Sequence, residues 1–352
     1  MQFRFGLAPL AAIACCLTAC HSPRTRPEAK EYTIYLSNNF VGNDWRQQML
    51  RSAEIAVNKP PLQGRVNLKI ENVETTAEAQ INSLNNIIRM RPDAILIDAA
   101  SASALNLPIE KACQAGILVI AFDQTATADC SYGIQTDWTQ AAAVEAEWIA
   151  RQIHGKGKIL VDRGLAGAPV SATLLEGYQS VIGKYPGIAI VGYFNGDYSL
   201  GPEQADVANL LAAHSEVDAI LVQGYGAGAI KALQDAGRKI VPVTGSSFNL
   251  CAVTCAQTPG ASCLLASNPT YLSAEALKLA VSILDGKVPP QKHIFVSAPF
   301  LTTDATVSKV FPGIAVEKIE IGKNAFPNLA PGLSLPFSPD WVEIKPQELG
   351  GS

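Results

Sequence analysis

Two carboxylates and an amide follow consecutive apolar segments in the first third of the chain, and side chains of these types can hydrogen-bond a polar ligand. The segments, residues 94–97 and 117–122, are short and rich in β-branched residues, as buried strands are. A helical stretch that ends in glycine separates them, which predicts a parallel pair. Asp98 ends the first segment, and Asp123 and Gln124 follow the second. Since ligands of parallel sheets lie beyond the carboxyl ends of the strands, we expect Asp123 to be functional and Asp98 to be a turn or cap residue.

The alternation of strand and helix around these residues continues along most of the chain. Further strands are predicted at residues 33–37, 66–70, 132–135, 158–161, 188–193, 219–222, 239–243 and 262–266. A glycine-bearing turn at residues 155–157 separates two series of this pattern. The sequence therefore predicts an α/β fold with two doubly wound parallel-sheet lobes. Beyond residue 326 the chain is rich in proline and lacks periodicity, so we expect an irregular tail on the surface.

The composition is that of a globular protein and argues against a nucleic-acid partner. The length of 352 residues suggests about two domains, and 48% of the residues are hydrophobic. The formal net charge is −4, and no cluster of lysine and arginine is visible. A protein that binds nucleic acid usually shows such a cluster.

The amino terminus has the layout of a targeting segment. The first five residues contain one arginine, and the apolar run after them is too short to span a membrane. Leu17-Thr18-Ala19-Cys20 then resembles a bacterial lipobox, whose cysteine is acylated and becomes the first residue of the mature protein. The resemblance predicts a signal peptide over residues 1–19, lipidation of Cys20, a tether over residues 20–31, and a periplasmic protein held at a membrane by lipid alone. Ordinary secretion with cleavage nearby is the alternative.

Five cysteines remain beyond this segment, and an exported protein can form disulfides. Cys113 lies late in a predicted helix and Cys130 lies in the loop after the next strand, so we expect these two to pair. The spacing of Cys251, Cys255 and Cys263 permits a disulfide or a metal site. No histidine lies nearby and export favours the disulfide, so we expect no metal ion and one free thiol.

Short motifs in a defined order resemble those of type 1 periplasmic binding proteins, the sugar-binding subunits of ABC transporters. They are DAILI before a helix, AGILVIAFDQ before a loop, GLAGAP before EGY, and VDAILV before a glycine-rich turn, within roughly residues 33–321. The resemblance implies that the ligand is enclosed between the lobes by hinge closure. The implied partners are a small solute and the transporter permease, and we expect a monomer without cofactor or enzymatic activity.

The same resemblance implies three passages of the chain between the lobes, near Thr136, near residues 267–269 and near residues 297–302. The N-terminal lobe would then contain residues 32–136 and 269–297. The C-terminal lobe would contain residues 137–268 and 298–325, and the tail would contain residues 326–352.

In the N-terminal lobe, the resemblance implies ligand contacts after two strands. The contacts after the first strand are Asn39, Asn43, Trp45 and Arg46, and the Trp-Arg pair resembles that of the galactofuranose-binding branch. Trp45 would stack on a ring's C–H face, and Arg46 would donate paired hydrogen bonds. Asp123 would accept from sugar hydroxyls, and Gln124 replaces the arginine that usually follows. The alternative is that Trp45 belongs to the core and that Arg46 is a solvated helix residue.

In the C-terminal lobe, several charged ligand-binding residues of the family are replaced. The family's arginine falls on Ala172, its Asn-Asp pair on Gly224-Tyr225, and its later aspartate near Ser246. Neutral donors and an aromatic wall remain, from Ser171, Tyr198, Tyr225, Ser246, Ser247 and Ser267. The implied ligand is a modified or less polar sugar, a polyol or a nucleoside-like molecule.

An exported NAD-dependent oxidoreductase is the alternative from another class. Gly224-x-Gly226-x-x-Ala229 follows a predicted strand and opens a helix, as the dinucleotide fingerprint GxGxxA does. The fingerprint requires an acidic residue at the end of the next strand, and Val243-Thr244-Gly245 provides none. We therefore expect a tight turn here and no NAD. A hydrolase of the common α/β type would need a GxSxG nucleophile elbow, and the sequence contains none. The remaining alternative is a protein that presents its ligand to a sensor or chemoreceptor.

Overall fold

The computed structural model describes residues 30–40, 44–74, 76–166 and 168–350, and strands and helices alternate through most of them. The first elements are β1 (Tyr32–Asn38), α1 (Asp44–Val57), β2 (Val66–Asn72), α2 (Ala77–Arg89), β3 (Ala94–Asp98), α3 (Asn106–Gln114), β4 (Leu118–Phe122) and β5 (Tyr132–Thr136). Next come α4 (Trp138–Gln152), β6 (Lys156–Asp162), α5 (Pro169–Ile182), β7 (Gly187–Phe194), α6 (Leu200–Ala213), β8 (Ala219–Leu221), α7 (Ala227–Asp235), β9 (Val243–Ser246), α8 (Asn249–Gln257) and β10 (Cys263–Ala266). The last are α9 (Leu272–Leu284), β11 (His293–Val296), β12 (Phe300–Thr302), α10 (Val307–Val310), β13 (Val316–Lys318) and a 3-10 turn at Pro346–Leu349.

The strands form two sheets, which confirms the predicted α/β fold with two lobes. The sheet of the N-terminal lobe has the order β11-β5-β4-β3-β1-β2, and all of its pairs are parallel. Helices α1 and α9 pack on one face, and α2 and α3 pack on the other. Strand β3 is buried along its whole length, as its continuous apolar sequence predicts for a strand covered on both faces.

The sheet of the C-terminal lobe has the order β13-β12-β10-β9-β8-β6-β7. Only the β10–β12 pair is antiparallel among the described strand pairs of this sheet. Helices α4 and α5 pack on one face, and α6, α7 and α8 pack on the other. The chain changes sheet between β5 and β6, between β10 and β11, and between β11 and β12. The exact lobe boundaries given above stay a prediction.

Two local predictions of secondary structure are corrected. The strand predicted at residues 239–243 begins only at Val243, because Pro242 has no N–H group to give to the ladder, and it continues to Ser246. Helix α8 was not predicted. Its N-cap residue Phe248, which precedes the helix, makes no side-chain capping bond, and its apolar residues do not form a clear stripe, so the usual signals of a helix are missing.

The expectation that the tail lies on the surface is wrong, although most of it lacks helix and strand as predicted. Leu333, Leu335, Val342, Ile344 and Leu349 are all buried. They pack against residues of both lobes, including Ile55 of α1 and Phe248 at the start of α8. The apolar residues of the tail are irregularly spaced, so periodicity could not reveal that they are buried.

The cysteines pair as the export context suggested. Cys113 forms a disulfide with Cys130, and Cys255 forms one with Cys263. Cys251 is a buried free thiol. The Cys251, Cys255 and Cys263 set is therefore not available as three metal ligands. Within the described residues, no helix combines the length and apolar character needed to cross a membrane.

Candidate functional site

The carboxyl ends of β1, β3 and β4 bring most of the predicted N-terminal-lobe residues together. Asn39 follows β1, Asp98 ends β3, and Asp123 follows β4. Trp45 and Arg46 lie in the first turn of α1, directly after the loop from β1. Asn43 lies in that loop, outside the described residues. The parallel arrangement of the strands explains why side chains from distant parts of the sequence meet at this edge.

Arg46 is the centre of a buried charge cluster. Its guanidinium is almost completely buried, forms an ion pair with the fully buried Asp98, and lies 3.8 Å from Oδ2 of Asp123. The Gln124 amide, oriented so that both of its polar atoms find partners, accepts from Nη2 of Arg46 at 2.8 Å and donates to the Ala99 carbonyl at 3.0 Å. Burial lowers the pKa of Arg46, and the negative charge of Asp123 opposes this effect.

This geometry corrects the expectation for Asp98 and excludes the alternative interpretation of Arg46. Asp98 is not a turn or cap residue, since it is the last residue of β3 and its fully buried carboxylate pairs with Arg46. Arg46 is not a solvated helix residue either. A buried arginine requires a counter-charge, and the end of the neighbouring strand β3 is where this fold supplies one.

Asp123 has an unusual backbone and a well-defined hydrogen bond. Its φ is 56°, in the left-handed region that few residues other than glycine adopt. Its Oδ1 accepts from Nδ2 of Asn268 at 2.8 Å, while Oδ2 faces Arg46. The carboxylate is thus oriented by two partners and remains partly exposed, as a ligand-binding acceptor must be. Strained backbone often occurs at functional sites, so this outlier supports the hypothesis for Asp123.

Trp45 lies mainly in the core of the N-terminal lobe. Only 8% of the residue is exposed, and its Nε1 donates to the Asn268 carbonyl at 2.8 Å. The guanidinium carbon of Arg46 lies 5.2 Å from the centre of its ring. A ligand could stack only on the small part of the ring that remains open. The geometry therefore favours the alternative interpretation of Trp45 as a core residue.

Asn268 connects several of these groups and was missed by the sequence analysis. Besides its bonds to Trp45 and Asp123, its Oδ1 accepts from Oγ1 of Thr136 at 2.8 Å. Thr136 ends β5 and Asn268 follows β10, so the two lie on two of the passages between the lobes. The available signal was the position of Asn268 beside Ser267, within a predicted passage.

Asn39 adds an unused acceptor to the N-terminal side. The residue is 4% exposed, and its Oδ1 is buried without a hydrogen-bond partner among the described residues. Buried polar atoms are nearly always paired. The Asn39 oxygen is therefore a position at which a ligand hydroxyl could donate.

The C-terminal side consists of linked neutral groups. Oγ of Ser171 and the hydroxyl of Tyr198 are 2.7 Å apart, and the Tyr198 hydroxyl donates to Oε1 of Gln223 at 3.2 Å. Nε2 of Gln223 in turn donates to the Ser171 carbonyl at 3.1 Å. Burial raises the pKa of Tyr198 to about 12, so this hydroxyl stays neutral. Tyr225 stacks on Phe248 with ring centres 4.9 Å apart.

Two buried carboxylates of the C-terminal lobe, which were not predicted from the sequence, fix the loops around these groups by accepting hydrogen bonds from backbone N–H groups. Asp162 ends β6 and accepts from the N–H groups of Gly164, Gly196 and Gln223 at 2.7, 2.8 and 3.1 Å. Glu203 accepts from the N–H groups of Tyr225 and Ala229 at 2.7 and 3.0 Å, and burial raises its pKa to about 7. The position of Asp162 at the end of a buried strand was the available signal, as it was for Asp98.

Glu203 also explains the GxGxxA sequence. The carboxylate occupies the N–H groups at the start of α7, where a dinucleotide fingerprint would bind pyrophosphate. Gly226 has a φ of 70°, and a side chain there would collide with the Thr244 carbonyl. The glycines are therefore required by a tight turn. The acidic side chain with which a dinucleotide-binding protein holds the ribose is missing as well.

The remaining predicted serines contact protein groups. Ser246 donates from Oγ to the Gln223 carbonyl at 3.3 Å. The hydroxyls of Ser247 and Ser267 both donate to the carbonyl of Leu335 in the tail. No periodicity in residues 326–352 indicates that the tail returns to this position. In this structure the tail, and not an open cleft, uses the hydroxyls of Ser247 and Ser267.

Comparisons with known proteins give one consistent result. The sequence model of the periplasmic binding protein domain family matches residues 34–288. The xylitol-binding protein of Mycolicibacterium smegmatis is 24% identical over 248 residues, which are 68% of this chain and 68% of that protein. The ribose import binding protein of Bacillus subtilis is 22% identical over 281 residues, 77% of this chain and 90% of that protein.

Solved structures with the same fold include two ABC transporter proteins. A solute-binding protein from Thermobispora bispora has a TM-score of 0.64 and 29% sequence identity, and the match covers 76% of this chain and 84% of that chain. A periplasmic ribose ABC transporter protein from Conexibacter woesei has a TM-score of 0.69 and 20% identity, and the match covers 81% of this chain and 96% of that chain.

Proposed function

Because the chain belongs to the type 1 periplasmic binding protein family, we propose that it is the substrate-binding protein of an ABC importer and encloses a small, uncharged sugar or polyol between its lobes. The named relatives bind xylitol and ribose, both small polyhydroxylated molecules. We assign the lobes as residues 32–136 with 269–297 and residues 137–268 with 298–325. The three passages between them act as the hinge.

The observation that carries the proposal is the oriented carboxylate of Asp123 at the carboxyl end of β4. Asn268 and Arg46 fix its position, and the partly exposed oxygens can accept from ligand hydroxyls. The unpaired acceptor of Asn39 lies at the same edge of the sheet. Acceptors of this kind suit a molecule that carries several hydroxyl donors.

The charges of the site favour a neutral ligand over an anionic one. Arg46 is matched by two carboxylates, Asp98 and Asp123, so the cluster carries a net negative charge. The hydroxyls of Ser171 and Tyr198 on the opposite side are neutral. An anionic ligand would find no unmatched positive charge among these residues and would lose its hydration.

Thermal unfolding in the presence of candidate ligands tests this function. We expect ribose, arabinose or xylitol to raise the unfolding temperature, because a ligand that binds only the folded state adds about 2.7 kcal/mol at a hundredfold excess over its Kd. Ribose 5-phosphate serves as the charged control and should have no effect. The proposal fails if no neutral sugar or polyol stabilises the protein, or if a bound compound is chemically converted.

We further propose that a lipid on Cys20 anchors the protein to a membrane, with residues 20–31 as a tether. Cys20 and residues 20–29 of the tether lie outside the described residues, and the proposal rests on the lipobox-like sequence 17–20. Cys20→Ser should move the protein from the membrane fraction to the soluble fraction, whereas Cys16→Ser, a change within the signal peptide, should not. An unacylated mass for the wild-type protein, together with membrane retention of Cys20→Ser, would exclude the anchor.

A further inference from the structure

The tail passes between the two lobes and contacts both. Its beginning packs on the C-terminal lobe, where Asn249 of α8 donates from Nδ2 to the carbonyls of Phe326 and Ala330 at 2.8 and 3.2 Å. Its end packs on the N-terminal lobe. There, Nε1 of Trp341 donates to Glu275 of α9 at 2.7 Å, and Glu348 pairs with Lys59. The chain therefore crosses between the lobes a fourth time.

Residues 331–335 form the central part of this fourth crossing, and Gln48 of α1 binds one edge of it. Nε2 of Gln48 donates to the Gly332 carbonyl at 2.8 Å, and Oε1 accepts from the Ser334 N–H at 2.9 Å. Both bonds are buried. A single amide side chain thus satisfies the donor and the acceptor that a neighbouring strand would otherwise satisfy.

The C-terminal lobe binds the other edge of the same segment. The Leu333 carbonyl accepts from the N–H of Asn249 at 2.8 Å, and the Leu335 N–H donates to the Ser247 carbonyl at 3.0 Å. Ser334 forms an isolated antiparallel bridge with Phe248. In extended backbone, the polar groups of successive residues point to opposite sides. The alternation explains how five residues can bind the two lobes at once.

We propose that residues 331–335 are an interlobe strap that restrains opening of the hinge in the absence of ligand. Rotation of the lobes away from each other at α1 and α8 would have to break the two buried bonds of Gln48 or the bonds to Ser247 and Asn249. Buried hydrogen bonds are costly to leave unmade, so the strap biases the protein toward the arrangement in which both edges are bound. This inference rests on the proposed hinged binding function and adds a restraint on the opening of the hinge. Its test requires no ligand.

The test measures the distance between the lobes in the ligand-free protein. Spin labels are attached through Leu107→Cys in α3 and Leu165→Cys after β6, two exposed positions on different lobes. Gln48→Ala removes the bonds of the N-terminal lobe to the strap and retains a good helix-forming residue in α1. We expect it to shift the label-to-label distance distribution to longer and broader values.

Gln47→Ala is the matched control, since Gln47 is the preceding residue of the same helix and is exposed. The control should leave the distance distribution unchanged. Gln48→Glu, which keeps the acceptor for the Ser334 N–H and places a carboxylate against the Gly332 carbonyl, should shift it as Gln48→Ala does. The strap is overturned if both Gln48 variants match the wild type, if Gln47→Ala produces the same shift, or if the wild type already shows a broad distribution.

Discussion

Arg46→Ala should lower the free energy of unfolding by about 3–5 kcal/mol, because it leaves the buried carboxylate of Asp98 without its counter-charge. Asp98 is fully buried in β3, and Arg46 is almost as inaccessible. Removing one partner of such a pair costs much more than the pair contributes when intact, since the remaining charge stays in a poorly solvated site. Chemical denaturation of the ligand-free protein measures the effect.

Two further variants separate this mechanism from a general effect on α1. Arg51→Ala removes an exposed arginine from the same helix and should change stability little. Replacing both partners with apolar residues, Arg46→Met with Asp98→Leu, should recover much of the loss, because no unpaired charge then remains in the buried end of β3 and the partly exposed Asp123 keeps its bond from Asn268. An unchanged midpoint for Arg46→Ala would show that the pair is not buried in solution.

Asp123→Ala should weaken binding of the sugar or polyol found by the thermal screen by roughly ten- to a hundredfold. The substitution removes the acceptor for ligand hydroxyls, and unmet hydrogen bonds in a closed cleft cost about 1–3 kcal/mol, where 1.4 kcal/mol is a factor of ten. The fold should survive because the side chain is partly exposed and bonds to Asn268, a residue at the passage between lobes and not in a core. Calorimetry measures the change.

The control for this prediction is Asp129→Ala, which removes an exposed carboxylate from the loop that also contains Asp123. It should leave the affinity unchanged. Asp98→Ala is unsuitable as a control, because Asp98 carries the counter-charge of Arg46. If Asp123→Ala binds the ligand as tightly as the wild type does, the pocket lies elsewhere in the cleft.

Most of the strands and their parallel arrangement were predictable because each lobe repeats one local pattern. A continuous apolar run such as residues 94–97 can be satisfied only by burial on both faces, and β3 is buried in this way. The Cys113–Cys130 disulfide was predictable for a similar reason, since the helix that contains Cys113 leads directly into the strand before the loop that contains Cys130. Local sequence therefore gave the framework of the fold.

The partners of individual side chains were not predictable in the same way. Nothing near Asp98 in the sequence indicates that Arg46 would be placed against it, because the contact depends on the pairing of β1 with β3. Trp45 has a side chain that suits either a ligand or a core, and its environment decides between them. The tail was misjudged because Leu333 and Leu335 pack against surfaces of two different lobes and follow no helical or strand period.

The late position of β11, α9 and the strap in the chain determines the order in which the protein can fold. Strand β11 pairs with β5, and α9 covers the face of the sheet on which α1 lies. The side-chain amide of Gln48 bonds to Gly332 and Ser334, 284 and 286 residues later. Contacts of such long sequence separation form slowly, because the entropy of closing the loop must be lost first. A nascent chain that lacks these segments cannot complete the N-terminal lobe, so we expect this lobe to finish folding only after almost all of the polypeptide has been synthesised.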